Sequence, residues 1–202
     1  MTIWRAEKPL ILASQSRARQ TLLANAGLGF ESDSAEIDER AVQSLSGLTA
    51  PSDIAALLAR EKALSVSSRR PDRYVIGADQ TLALGERIFN KPAGRLQALE
   101  QLRALSGHRH ELYSAVAVAR DGKALFQHVA IARMNMRRLG DGEIEAYLNE
   151  AGSAVTSSVG GYQLEGRGVH LFEAIEGDHF TILGLPLLPL LAFFRAKGLI
   201  GI

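Results

Sequence analysis

Cysteine is absent from the sequence, which excludes a disulfide framework and all thiolate chemistry. Excess charge is absent too. Lys and Arg number 23 against 22 Asp and Glu, a formal net charge of +1, so there is no general electrostatic case for nucleic acid or an anionic membrane surface. Arg133, Arg137 and Arg138 could form a basic patch, but strand alternation splits them between faces. No apolar stretch follows a basic start, so no secretion signal is expected. The longest apolar run, LGLPLLPLLAFF at 183–194, is too short and too proline-broken to span a bilayer. P-loop, HExxH and GxGxxG patterns are missing, and five histidines are too scattered to argue a nucleophile triad. A cytoplasmic enzyme or binding protein is the expectation.

What is present is ordinary globular composition, 47% hydrophobic and 22% charged, in a chain long enough for a real core. Repeats, low-complexity tracts and linkers do not interrupt it, so one domain over residues 1–202 is expected. Residues 9–13 read as a buried strand and 17–26 as a helix ending at Gly27. Residues 29–38 read as a strand or loop ending in EIDER. PSDIAALLAREKALSVSSRR predicts a helix capped by Ser52 or Asp53. YVIGADQTLAL predicts a second buried strand that stops at Gly77 and Asp79, with a hairpin turn at Gly85. GRLQALEQLRALSG is a helix by its leucine spacing.

Two long strands follow around Asp121-Gly122, a strong hairpin signal. Then come an acidic-started helix in GDGEIEAYLNEAG, a glycine-rich loop in SVGGYQLEGRG, a strand in VHLFEAIEG and a last helix with proline in its first turn. This order predicts a mixed α/β fold. A twisted central sheet is flanked by helices, with two lobes around a cleft. His108 and His110 read as exposed edge residues, because no third His or Cys has metal spacing.

Polar clusters break the apolar elements at Ser14–Arg19, Glu36–Glu39, Asp79-Gln80 and Asn90-Lys91-Pro92, and Lys62 adds a cation on a helix. Ligand sites in open α/β folds lie at the carboxyl ends of strands, where the sequence places both Ser14 and Asp79. The run LILASQSRARQTLL sets serines and arginines at a strand-to-helix junction. Helix-start N–H groups, hydroxyls and guanidinium forks all suit phosphate oxygens there. Cations beside carboxylates suggest a metal-assisted phosphoanhydride reaction, with the carboxylates holding Mg²⁺ and the cations holding polyphosphate.

LILASQSRARQTLL, EIDER, AREKA, VIGADQ, NKPAG, LSGHRHELYSAVAV, GGYQLEGRG and IEGDHFTILGLPL together resemble, in order, the motifs of the Maf family. These are nucleoside triphosphate pyrophosphatases with a fold similar to the inosine-triphosphate pyrophosphatases. The resemblance implies hydrolysis of a nucleoside triphosphate to the monophosphate and pyrophosphate with a divalent metal (Mg, Mn or Co), in a homodimer. It implies phosphate contacts from Ser14, Arg19, Lys62 and Lys91, and Glu39 as a metal or water-network carboxylate. Asp79 matches the family's proton acceptor; by residue chemistry alone it serves equally as base or metal ligand. Arg17 stands where the family has proline, and Ala18 occupies a position linked to substrate choice. Gln80 after the aspartate, with Glu165 in the late loop, resembles the branch acting on 7-methyl-GTP, not the dTTP and UTP branch. The competing expectations are a dTTP/UTP pyrophosphatase of the same family and a regulatory protein of cell division that senses nucleotides without significant turnover.

Overall fold

Leu10, Ile11 and Leu12 form β1 (Leu10–Leu12), which is buried throughout, as a strand between two parallel neighbours must be. The chain leaves it through Ser14 into α1 (Arg17–Asn25), whose start is capped by the Ser16 hydroxyl accepting from the Arg19 amide. After β2 (Phe30–Ser32) and α2 (Glu39–Ser46) comes α3 (Pro51–Arg69), the longest helix among the described residues. It leads into β3 (Val75–Leu84), β4 (Arg87–Phe89), α4 (Arg95–Leu105), β5 (Arg109–Arg120) and β6 (Lys123–Met136). Helix α5 (Asp141–Ala151), three short 3₁₀ segments, β7 (Phe172–Glu176), α6 (His179–Ile182) and α7 (Leu187–Ala196) complete the fold. The structure, a computed structural model, describes residues 3–201.

Among the described residues, seven strands form one mixed sheet in the order β2-β1-β3-β5-β6-β7, with β4 also on β3. Strands β2, β1 and β3 are parallel neighbours, and the other pairings are antiparallel. The β5–β6 turn puts Asp121 and Gly122 at φ of 51° and 71°, as a tight hairpin of the right twist requires. Helix α3 packs on one face of the sheet through Ala55, Ala59 and Ala63 against Ala115, Ala117 and Ala119. These small side chains let the helix come close. Gly77 on β3 closes the approach, for a Cβ there would lie 2.1 Å from the Ala59 carbonyl oxygen. The other face carries Leu22 and Leu23 of α1 and Leu187, Leu190 and Phe194 of α7. A second core gathers Leu82, Phe89, Leu102, Met134, Ile144, Leu148 and Tyr162 beneath α4 and α5.

Strand β3 has a gap along one edge. It pairs with β1 at Val75 and Ile76 and with β4 from Leu82 to Leu84. Between them, among the described residues, Gly77 to Thr81 have a strand neighbour only on the β5 side. At 3.3 Å per residue the gap is about 17 Å long.

Several expectations are corrected. Strand β3 does not stop at Asp79. It runs on to Leu84, because β5 supplies a continuous antiparallel partner; Asp79 therefore sits mid-strand. Ser52 and Asp53 do not cap α3. The cap is Ala50, without a side-chain hydrogen bond, and Pro51 opens the helix, its fixed φ suiting that position. Residues 29–38 are strand and loop as expected, and α2 begins immediately after them, where Asp38 caps it by accepting from the Arg40 and Ala41 amides. Strand β7 begins only at Phe172, because Arg167–Leu171 form a 3₁₀ turn. His110 is not an exposed edge residue. It is 1% exposed, bonded to the Tyr162 hydroxyl at 2.8 Å and packed beside Phe172. Burial pushes its imidazole down to about 4.

Candidate active site

A cleft of about 1380 Å³ opens along the β3 gap and is lined by Ser14, Ala18, Arg19, Glu39, Lys62, Asp79, Gln80, Lys91 and Glu165. All nine sequence-predicted residues thus share one cavity. The gap explains how Asp79 and Gln80 reach it together. Consecutive strand residues point to opposite faces, and only where the edge is open do both faces border the same space.

Lys62 forms the floor. It stands on the buried stripe of α3, and its Nζ donates to Asp79 Oδ1 at 2.6 Å and lies 2.9 Å from Glu39 Oε1. Lys62 and Asp79 are each 8% exposed, so the pair is nearly out of water, whereas Glu39 is exposed. Breaking such a buried pair leaves an uncompensated charge. Gly77 is what lets α3 bring Lys62 down onto Asp79. The loop that leads to Glu39, the first residue of α2, is anchored at its root, where Arg69 Nη2 and Arg70 Nε donate to the two oxygens of Asp33 at 2.8 and 2.7 Å. Those two bonds hold the Asp33 carboxyl below its ordinary range.

Arg19 stands beside this floor. Its Nη1 donates to Ser14 Oγ at 3.2 Å and to the Ala78 carbonyl at 2.8 Å, and its Nε donates to the Gly184 carbonyl at 2.7 Å. The guanidinium thus takes an edge carbonyl of β3 that β1 has already left. Burial lowers its pKa from the ordinary value, opposed by the charges of Asp79 and Glu39. Lys91 and Glu165 are exposed cleft residues. Arg167 pairs with Glu150, and Glu165 lines the cleft. Ala18 lines the wall as a small methyl, and exposed Arg17 stands at the mouth.

Sequence reasoning missed Arg40, which lines the cleft, and also Ser114, Thr181 and Gly184 behind Gln80. Arg40 was legible within EIDER. The other three carry no chemical signature and are found only by contact.

Among the described residues there is no cluster of three or more His, Asp and Glu able to form a closed metal cage. The donors on hand are two carboxylates, Asp79 and Glu39, bracketing Lys62. That set fits a hard cation such as Mg²⁺, which takes one or two carboxylates and completes its shell with water and substrate phosphates. Among the described residues no helix is long and apolar enough to cross a membrane.

The geometry defines a mixed α/β protein with a charged cleft in a broken sheet edge, where two carboxylates share one lysine and an arginine stands alongside. Residues 9–197 match the Maf-like protein family, and the chain belongs to the Maf family. It is 65% identical over 202 residues, the full length of both chains, to a nucleoside triphosphate pyrophosphatase of Bradyrhizobium diazoefficiens. It is 66% identical over 201 residues, again the full length of both, to one of Rhodopseudomonas palustris strain BisB18. A 7-methyl-GTP pyrophosphatase of Brucella abortus biovar 1 is 53% identical over 191 residues, covering 93% of this chain and 96% of that one.

Proposed function

We propose that this chain hydrolyses a nucleoside triphosphate to the monophosphate and pyrophosphate. The observation that carries the reading is the buried Asp79–Lys62 pair, bridged to Glu39 and flanked by Arg19 in one cleft. Arg19, Lys62, Lys91 and Ser14 hold the triphosphate, drawing its charge toward the floor. Asp79 accepts a proton from a water whose oxygen attacks the α-phosphorus. The bond from that phosphorus to the bridging oxygen breaks, and pyrophosphate leaves. Lys62 keeps the Asp79 carboxylate in register and faces the negative charge that grows on the phosphoryl oxygens. Asp79 and Glu39 are the residues that would hold a divalent cation, which when bound neutralises phosphate oxygens and acidifies water.

The substrate is a guanine-type nucleotide, 7-methyl-GTP foremost. Guanine presents N1–H and its exocyclic amine as adjacent donors, which a carboxylate such as Glu165 accepts together. The name carried by the Brucella abortus relative supports the same choice. Two copies of the chain acting as a homodimer belong to this proposal, and sedimentation measures that directly. The deciding experiment is a nucleotide panel with separate detection of pyrophosphate and orthophosphate. Pyrophosphate from a guanine-type nucleotide is expected; orthophosphate as the first product refutes the reading.

A further inference from the structure

Gln80 is half-buried on β3 and lines the cleft. Its side-chain nitrogen is heavily committed. Nε2 lies 2.8 Å from Ser114 Oγ, 3.2 Å from the Thr181 carbonyl and 3.0 Å from the Ile182 carbonyl. An amide can be turned end for end, and its orientation must be read from its partners. Two of the three partners here are carbonyls, which only accept, so the atom facing them is the NH₂ end. The third partner is equally constrained. Ser114 is fully buried, and its single proton goes to the Thr181 carbonyl at 2.6 Å. Its oxygen is left to accept, which it does from Gln80.

The backbone that supplies these carbonyls is itself fixed. Asp178 takes the Thr181 amide at 3.0 Å and the Thr181 hydroxyl. The Gly184 amide also donates to the Thr181 carbonyl at 3.0 Å. Gly184 turns the chain at φ of 88°, passing between Gln80 and Arg19. A Cβ there would stand 3.4 Å from the Arg19 nitrogens and 3.7 Å from Gln80 Cδ. Gln80 Oε1 is not used in this network. Among the described residues it accepts no hydrogen bond, and it is not among the buried polar atoms lacking a partner, so it meets the open cleft.

We infer that Ser114, with the Thr181 and Ile182 carbonyls, is a positioning device that locks the Gln80 amide with its carbonyl oxygen toward the cleft, making Gln80 a fixed acceptor that selects nucleobase edges presenting an N–H. The inference rests on the nucleotide reading above and assigns Ser114 a role in base choice. A base that turns a carbonyl toward Oε1 meets two acceptors face to face. The amide cannot flip to relieve this without opposing its oxygen to two backbone carbonyls. A purine edge with adjacent N–H groups meets no such conflict. A loss of selectivity of about tenfold or more is the scale for one mismatched polar contact in a closed site.

The test has two arms. In ¹⁵N-labelled wild-type protein without nucleotide, the Gln80 side-chain amide protons are expected to exchange at least about tenfold more slowly than those of exposed glutamines. Ser114→Ala is expected to speed that exchange, and Ser114→Thr, which keeps the hydroxyl, to restore it. In the second arm, Ser114→Ala lowers the ratio of kcat/KM for guanine over uracil triphosphates about tenfold, chiefly through KM. Exchange at the exposed-glutamine rate in the wild type overturns the lock, and an unchanged base ratio in Ser114→Ala overturns its role in selection. Should wild-type protein release no pyrophosphate from any nucleotide, the functional reading falls, while the exchange arm still decides the lock. Should Ser114→Ala fail to fold, Gln80→Met removes both ends of the amide; it must lose the base preference, and retention overturns the inference.

Discussion

Gly77→Ala adds one methyl group in the place where α3 rests on β3. The new Cβ would lie 2.1 Å from the Ala59 carbonyl oxygen, 2.6 Å from the Ala63 nitrogen and 2.9 Å from the Ala63 Cβ. Two of these neighbours are helix backbone, so no rotamer change relieves the clash. The helix must lift by about 1 Å to reach ordinary contact distance. Overpacking of this kind costs about 1–3 kcal/mol or more. The functional loss should exceed the loss of stability. Lys62 rides on the displaced turn, and its 2.6 Å bond to Asp79 stretches out of range. Misplacing a catalytic group by that much lowers turnover by about 100-fold. Pyrophosphate release at saturating nucleotide and urea unfolding of the same preparation measure both effects. Gly142→Ala in α5 is the control: a Cβ there meets nothing within 4 Å, and the helix gains up to about 1 kcal/mol. A Gly77→Ala protein with wild-type turnover and an unchanged urea midpoint refutes the account of how α3 seats Lys62.

Asp79→Asn should lower turnover about 100- to 10,000-fold while nucleotide binding survives, checked by single-turnover kinetics beside equilibrium binding. Lys91→Ala should weaken triphosphate binding with little effect on stability. Arg19→Ala should do both, because Arg19 also holds the Ala78 and Gly184 carbonyls; matching urea midpoints for the two variants would contradict this. His110 is held neutral by burial, from 6.5 down to about 4, so below pH 6.5 the unfolded chain takes up a proton that the folded chain refuses. Stability should therefore fall as pH drops from 6.5 toward 4, by about 3 kcal/mol when complete, and urea midpoints at pH 7 and 5 should lose that component in His110→Phe. Glu165→Gln combined with Gln80→Thr should move kcat/KM toward dTTP and UTP, and a wild type that already prefers them refutes the base-pocket reasoning.

The order of strands and helices was largely legible because it rests on local signals. Asp121-Gly122 announced the β5–β6 hairpin, and buried runs announced β1 and β3. Other features depend on partners far away in sequence. Asp79 looked like a strand end because polar residues interrupt the run, yet the pairing of Gly77–Ala83 with Glu111–Ala117 carries β3 onward. His110 alternated like an edge residue, but Tyr162 and Phe172 arrive from another part of the chain to bury it. The nine candidate residues were legible one by one. Their contacts were not: Arg19 reaches Ala78 and Gly184 across 59 and 165 residues.

On the proposed reading, a nucleotide in the cleft would stand in for a strand missing from the gap in the sheet. Strand alternation aims the amides of Ala78 and Gln80 at the side where β1 has ended and β4 has not begun. An open edge elsewhere would recruit another chain, but here the flanking strands leave room only for something short. Substrate binding should therefore slow amide hydrogen exchange at these two positions, leaving their neighbours on the β5 side unchanged. The ligand would then complete the architecture as well as occupy it.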